Sequence, residues 1–150
     1  MRAVIQRTMN ATVKVRGEIC GKIDRGLLVL LGIEEQDNDN DIQWLAGKIS
    51  RLRIFDDKLG TMNLSVVDAG AEVMVVSQFT LHASTKKGNR PSYIRAARPE
   101  KAEPLYLRFV ESLSGMIGKP VPTGRFGEMM EVSLINDGPV TLIIDSRNPE

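Results

Sequence analysis

The chain has 150 residues, a length that suits one domain spanning residues 1–150 with about two thirds of its unfolded surface buried. Its 20 Lys and Arg residues balance 19 Asp and Glu residues, which excludes a nucleic-acid-binding protein that works through a global basic field. Any RNA contact must therefore come from a local patch, and DNA is not an expected partner.

Cysteine content and hydropathy indicate the cellular compartment in which the protein is expected. The single cysteine, Cys20, cannot form an intramolecular disulfide, and the sequence has no Cys and His cluster of the kind that binds zinc. The longest apolar run, Gly26 to Ile33, is far shorter than the ~20 residues of a membrane helix, and Met1 is not followed by a signal-peptide apolar block. We expect a soluble, cytoplasmic protein without a metal site or a membrane partner.

The first third of the chain predicts three strands. Apolar and polar residues alternate from Met1 to Val15, as in a strand with one buried face, and Arg7 is the one interruption. Tight turns at Arg16-Gly17 and Arg25-Gly26 separate this segment from two others, so the pattern predicts an antiparallel meander. The predicted strands are Met1–Val15, Glu18–Asp24 and Leu27–Ile33.

Two later segments have helical periodicity. Apolar residues recur at spacings of three and four from Ile42 to Leu52, after a polar break that offers Asp37, Asn38 or Asn40 as the cap. A second helix begins at Pro99, which suits a first turn, and ends at Gly118 with Pro120. Its predicted apolar face comprises Ala102, Leu105, Tyr106, Phe109, Val110, Leu113, Met116 and Ile117.

The remaining apolar segments predict four more strands and one long loop. The order of elements is mixed and is not an alternation of strand and helix. It favours a single α+β domain with a mainly antiparallel β-sheet or a partly closed barrel and two covering helices. The predicted strands are Leu64–Val67, Val73–Leu81, Met130–Ile135 and Val140–Ile144, and the loop is His82–Ala97.

Two polar segments interrupt these strand patterns in a way that is typical of active sites. Ser77-Gln78-Phe79-Thr80-Leu81 closes the β-branched run Val73–Val76, so polar side chains emerge at the end of a buried strand. Asn136-Asp137-Gly138-Pro139 places turn-forming residues and a proline, which lacks a backbone donor, between the two C-terminal strands.

Both segments, together with TGRF at Thr123–Phe126, resemble the D-aminoacyl-tRNA deacylases, the D-tyrosyl-tRNA(Tyr) deacylase family. The resemblance covers nearly the whole chain and includes MRAVIQR at the start, GLLVLLGI at Gly26–Ile33 and NRPSY at Asn89–Tyr93. It implies the same fold, no cofactor, and a homodimer whose two active sites lie at the subunit interface. The implied reaction hydrolyses the ester between a D-amino acid and the terminal ribose of tRNA, which releases both products.

The resemblance implies that Ser77, Gln78, Phe79 and Thr80 form the catalytic segment. An ester is already reactive, so the enzyme mainly needs a positioned water and donors for the developing oxyanion. We expect backbone N–H groups of Gln78-Phe79-Thr80 to be these donors, and the ribose 2′-hydroxyl assists in the family. A nucleophilic Thr80 is the alternative, but it needs a base, and the only histidine, His82, has no obvious orienting acid.

Selection for D-amino acids must be geometric, because D- and L-aminoacyl esters carry the same groups. In the family, the pair that corresponds to Gly138-Pro139 has a cis peptide bond and enters the partner subunit's pocket. Its two carbonyl oxygens face the substrate α-carbon, where an L side chain would collide with them. Glycine would pass such a filter, so glycyl-tRNA is a second expected substrate.

Three further features have two interpretations each. Arg7 on an apolar strand face needs acceptors and could orient Gly138-Pro139 through carbonyl oxygens, or it could reach solvent from a strand edge. Phe126 could stack on the terminal adenosine or belong to a structured turn. The basic cluster could hold tRNA phosphates near the site or be a solvated loop. That cluster comprises Lys86, Lys87 and Arg90.

His82 is expected to be an ordinary loop residue. A non-catalytic RNA-binding module and an esterase for small molecules are the rival functions. Stereoselective cleavage of D-tyrosyl-tRNA, no cleavage, or cleavage of a free D-tyrosine ester would distinguish the three.

Overall fold

A computed structural model describes all 150 residues, Met1 to Glu150. The chain has seven strands, two α-helices and one 3-10 helix. Five of the strands form one curled sheet that the α-helices cover on one face, and the other two strands pair only with each other. The predicted α+β class with a mainly antiparallel, partly closed sheet is confirmed. The strands are β1 (Arg2–Val15), β2 (Glu18–Ile23), β3 (Gly26–Gly32), β4 (Phe55–Asp56), β5 (Met62–Leu64), β6 (Glu72–Ser77) and β7 (Glu131–Asp145); the helices are α1 (Asp39–Arg51), α2 (Pro99–Ile117) and the 3-10 helix Phe79–His82.

Strand β1 organises the sheet, and the predicted meander is wrong. Residues 2–8 of β1 pair with β3 and residues 11–15 pair with β2, while β7 runs along the other edge of β1. With 14 residues, β1 is long enough to take two partners end to end on one edge, so β2 and β3 do not pair with each other. β3 then pairs in parallel with β6, which makes β6 the neighbour that carries the candidate catalytic segment.

The two predicted C-terminal strands are halves of one strand. Both halves of β7 pair antiparallel with β1, so the chain keeps its direction through the segment that we expected to be a turn. Asn136 pairs with Thr8 and Thr141 pairs with Gln6, which leaves residues 137–140 as a bulge opposite Arg7. Two other strand boundaries also differ from the prediction. β5 ends at Leu64, and β6 ends at Ser77 because the chain coils into the 3-10 helix.

Both predicted helices are confirmed with their caps. The Asn38 side chain accepts from the Asn40 N–H, and the Asp41 carboxylate accepts from the Asn38 N–H, so Asn38 is the cap among the three candidates. α2 begins at Pro99 and ends at Gly118, whose φ of 70° is the left-handed conformation that a helix terminus favours in glycine. Neither α-helix is long and apolar enough to span a membrane.

Apolar residues are buried on both faces of the sheet. The larger cluster lies between the sheet and the two helices and includes Leu27, Val29 and Leu31 of β3. Leu28 of the same strand belongs to a smaller cluster on the opposite face, inside the curl. Because β3 and β6 are buried on both sides, the end of β6 is held firmly. The smaller cluster comprises Ala11, Val13, Ile23, Leu28, Met74 and Val76.

Candidate active site

The candidate catalytic segment begins where the ladder between β3 and β6 stops. The Gln78 N–H donates to the Leu31 carbonyl at 2.8 Å, so this N–H is not available to a substrate. Phe79 and Thr80 are the first two residues of the 3-10 helix, where the helix offers no acceptor for their own N–H groups. Of the three expected backbone donors, two therefore remain.

A cavity of about 640 Å³ opens beside this segment. All four predicted catalytic residues, Ser77 to Thr80, line it, and so does Phe126. Its other walls come from the end of β3, residues 93–97, the start of α2 and residues 127–132, and most of the lining side chains are hydrophobic. A largely apolar cavity of this size with a few polar groups is the usual form of a small-ligand site.

Two aromatic pairs shape the cavity. Phe79 and Tyr93 meet edge to face with ring centroids 5.1 Å apart, and they are 57% and 40% exposed. Phe126 packs on Tyr106 at 5.6 Å, and the Tyr106 hydroxyl donates to the Val75 carbonyl at 2.9 Å. Burial raises the pKa of the Tyr106 phenol, so it remains a donor. Tyr93 was not predicted as a site residue, although it closes the NRPSY segment.

Thr80 makes no hydrogen bond with a general base. Its hydroxyl accepts a hydrogen bond from the Gln78 side-chain amide. His82 is fully buried in the 3-10 helix, and neither of its ring nitrogens has a hydrogen-bond partner, so its interpretation as an ordinary loop residue is wrong. Burial lowers the pKa of His82 more than the Gly32 backbone and the Glu34 carboxylate raise it. The imidazole is therefore neutral at pH 7 and is not bonded to Thr80.

The bulge in β7 carries Gly138 and Pro139 at the surface, and the peptide bond between them is cis. Arg7 lies beneath the bulge and is only 6% exposed, so its interpretation as an arginine that reaches solvent is wrong. Its Nε donates to the Asp137 carbonyl at 3.3 Å and lies 3.2 Å from the Asp137 carboxylate. The same guanidinium donates to the Ile54 carbonyl at 2.7 Å.

The structure does not bring Gly138-Pro139 and the catalytic segment together within one chain. Neither Gly138 nor Pro139 lines the cavity. Through β3, Ser77 is in register with Ala3 of β1, four residues from Arg7. Four residues along the strands and two strand spacings across the sheet put Arg7 and Ser77 roughly 15 Å apart. The bulge on β7 lies one strand beyond Arg7.

The basic cluster Lys86, Lys87 and Arg90 is exposed and lies in a loop next to the cavity. Backbone hydrogen bonds of 2.8 and 2.9 Å between Ser84 and Ser92 close this loop. None of the three cations forms an ion pair with a carboxylate of the chain. Their charge is therefore free to face a ligand that reaches the cavity from this side.

Comparisons with known proteins agree with this architecture. The family model described as D-Tyr-tRNA(Tyr) deacylase matches residues 4–145. D-aminoacyl-tRNA deacylases from Dechloromonas aromatica and Parabacteroides distasonis are 63% and 59% identical to the chain, and both alignments cover 100% of each protein.

Solved structures are similar over almost the whole chain. A c-Myc DNA unwinding element binding protein has a TM-score of 0.92 and 40% identity, with 97% of this chain and 98% of that chain covered. A eukaryotic protein described as a probable D-amino acid tRNA deacylase has a TM-score of 0.81 at 17% identity, with 95% and 97% covered, which shows the shared fold. The chain therefore belongs to the D-aminoacyl-tRNA deacylase family, hydrolases that act on aminoacyl-tRNA.

Proposed function

We propose that the chain hydrolyses D-aminoacyl-tRNA by holding the oxyanion with the backbone N–H groups of Phe79 and Thr80. The observation that carries this proposal is the start of the 3-10 helix at the cavity, where these two donors lack helix acceptors. The oxygen of a bound water attacks the ester carbonyl carbon, and negative charge develops on the carbonyl oxygen. The bond to the ribose oxygen then breaks, and that oxygen takes the proton from the water. The ribose 2′-hydroxyl assists this transfer.

Substitution by proline tests the donor at position 79. Phe79→Pro removes the N–H at the first position of the 3-10 helix, where proline is tolerated because that N–H has no helix acceptor. Phe79→Ala removes the ring but keeps the N–H. We expect kcat for D-tyrosyl-tRNA to fall by about 10² to 10³ more in the proline variant than in the alanine variant. Equal rates in the two variants would contradict the proposal.

Thr80→Ala is the companion variant, because it removes the hydroxyl but keeps the Thr80 N–H. We expect it to retain substantial activity. An acyl group trapped on Thr80 and detected by mass spectrometry would instead establish covalent catalysis.

We propose that a second copy of the chain supplies Gly138-Pro139 to the cavity. The separation of roughly 15 Å or more within one chain and the exposed position of the bulge support an acceptor on another molecule. The outer edge of β7 also exposes Ile135 and Ile143, at 52% and 71%, as an interface strand would. The active form is then a homodimer with both sites at its interface, which sedimentation analysis tests directly.

Chiral selection follows from the carbonyl oxygens of this pair, which exclude an L side chain by collision. Because the filter does not require a D side chain, glycyl-tRNA is also hydrolysed. Rates with D-tyrosyl-tRNA, L-tyrosyl-tRNA and glycyl-tRNA test the scheme. Hydrolysis of the L form as fast as the D form would contradict it.

The basic cluster Lys86, Lys87 and Arg90 binds phosphates of the tRNA, and Phe126 stacks on the terminal adenosine. The free charges of the cluster and the position of Phe126 in the cavity wall support these roles. We also propose that the protein is cytoplasmic, because aminoacyl-tRNA is present in that compartment. A Lys86/Lys87 double alanine variant should lower the slope of log affinity against log salt by about 1 to 2. An unchanged slope would count against the phosphate contacts.

A further inference from the structure

The neck of the bulge in β7 is closed by one side chain. The β-ladder with β1 stops at Asn136 and resumes at Thr141, so Arg7 has no backbone partner on β7. The Asn136 side-chain amide fills this gap, because its nitrogen donates to the Arg7 carbonyl at 3.0 Å and to the Val140 carbonyl at 2.9 Å. One amide group thus ties the start of the bulge to its end and to the neighbouring strand.

Both donors of this amide are in use, and its oxygen also has a partner. The Thr141 hydroxyl donates to Asn136 Oδ1 at 3.3 Å. Arg7 is consequently held at both ends, its carbonyl by Asn136 and its guanidinium by Asp137. A residue with another side chain at position 136 would leave the Arg7 and Val140 carbonyls without this donor.

A filter that works by collision must resist displacement. Gly138 and Pro139 are exposed in the chain, so the core does not hold them in place. Their position depends on the polar groups at the base of the bulge. Loss of these contacts would let the carbonyl oxygens retreat from an L side chain, and the distant oxyanion donors would be unaffected.

We propose that Asn136 is a positioning residue for chiral selection: it fixes the bulge so that L-aminoacyl esters are rejected, and it has little influence on the hydrolysis of D-aminoacyl esters. This inference rests on the proposed role of Gly138-Pro139. It concerns selectivity, because the contacts of Asn136 lie at the bulge and the residue does not line the cavity.

The test compares hydrolysis of L- and D-tyrosyl-tRNA by the full-length protein and by Asn136→Asp and Asn136→Ala. Asp has the shape of Asn but no donors for the two carbonyl oxygens. We expect the ratio of L to D rates to rise about tenfold, as the loss of a hydrogen bond or two implies. The D rate should stay within about threefold of the wild type. The ratio does not depend on how much of a variant is folded, so reduced stability alone cannot change it.

Asn10→Asp is the matched control. Asn10 is exposed on β1 opposite Ile135, so this substitution adds the same negative charge near the bulge without removing a contact of Asn136. It should leave the ratio unchanged. An unchanged ratio in both Asn136 variants would overturn the inference. Pro139→Ala then separates the role of Asn136 from the filter at Gly138-Pro139. A raised ratio of L to D rates in Pro139→Ala would support a filter that does not need Asn136. An unchanged ratio would contradict the filter itself.

Discussion

The catalytic segment and the bulge are held in place by different forces. Val73 to Val76 precede Ser77 and are at most 2% exposed, so an apolar core fixes the end of β6. The bulge in β7 lies at the surface and depends on hydrogen bonds from two polar side chains, Arg7 and Asn136. Hydrolysis should therefore respond to changes in packing, and chiral selection should respond to the loss of single polar groups.

The largest effect is expected from Arg7→Ala. It removes a buried cation that contacts Asp137, Asp56 and the Ile54 carbonyl. Leaving these groups without their partner should lower the free energy of unfolding by about 3 kcal/mol. Rejection of L-tyrosyl-tRNA should also be lost. Urea unfolding and paired L and D rates measure the two effects, and if L rejection stayed intact, Arg7 would not orient the bulge.

Gly32→Ala tests whether packing holds the catalytic segment in place. A methyl group on Gly32 would lie 3.0 Å from the Gln78 carbonyl and 3.1 Å from the His82 ring, so the 3-10 helix must shift. We expect a loss of about 1 to 3 kcal/mol in stability and about tenfold in D-tyrosyl-tRNA hydrolysis, with the ratio of L to D rates unchanged.

Gly115→Ala is the control for this variant, since an added methyl group there meets no atom within 4 Å. It should preserve the rate and raise stability by up to about 1 kcal/mol, because Gly115 lies in α2 and alanine has the higher helix propensity. A changed L to D ratio in Gly32→Ala would show that the catalytic segment and the bulge are not independent.

The smallest effect is expected from His82, through the pH dependence of the free energy of unfolding. Burial lowers the folded-state pKa of His82 below its unfolded value of about 6.5. The unfolded chain thus binds the proton more strongly, and the stability present above pH 6.5 is lost as the pH falls through the folded-state pKa. Burial is the main reason that the ring resists a positive charge; the Gly32 backbone and the Glu34 carboxylate favour the charge, and the Met1 ammonium and Arg2 oppose it.

His82→Leu should remove this loss, while its stability at about pH 7.5 should change by no more than about 1.5 kcal/mol. His82 is the only histidine, so no other imidazole contributes. Urea unfolding at about pH 7.5 and about pH 5 gives the result. An equal loss of stability in the variant and the wild type would show that other groups cause the acid sensitivity.

Local patterns predicted the elements whose structure is decided locally. The period-2 alternation of β1 and the helices from Asn38 and Pro99 agree with the structure, because their caps and apolar faces are written in adjacent residues. The resemblance to the family located both motifs. The bulge was mistaken for a turn because its neck is closed by β1, more than 120 residues away in the chain.

Burial of His82 could not be predicted either, since its surroundings come from Gly32 and the start of the chain. The partners of Arg7 are likewise remote in sequence, so the sequence allows both interpretations of this residue and only its contacts decide between them. Asn136 was visible in the sequence as part of the second motif. Its hydrogen bonds depend on the pairing of β7 with β1, which no local pattern contains.

Mixing an unselective variant with an inactive one tests the central claim, that each chain supplies the filter against L-aminoacyl esters to the cavity of another. Pro139→Ala keeps its oxyanion donors but should hydrolyse L-tyrosyl-tRNA, and Phe79→Pro keeps the bulge but should be nearly inactive. When Pro139→Ala is allowed to exchange subunits with an excess of Phe79→Pro, its working cavity should receive an intact bulge. We predict that L-tyrosyl-tRNA hydrolysis then falls while D-tyrosyl-tRNA hydrolysis persists; L hydrolysis that continues unchanged in mixed dimers would contradict this claim.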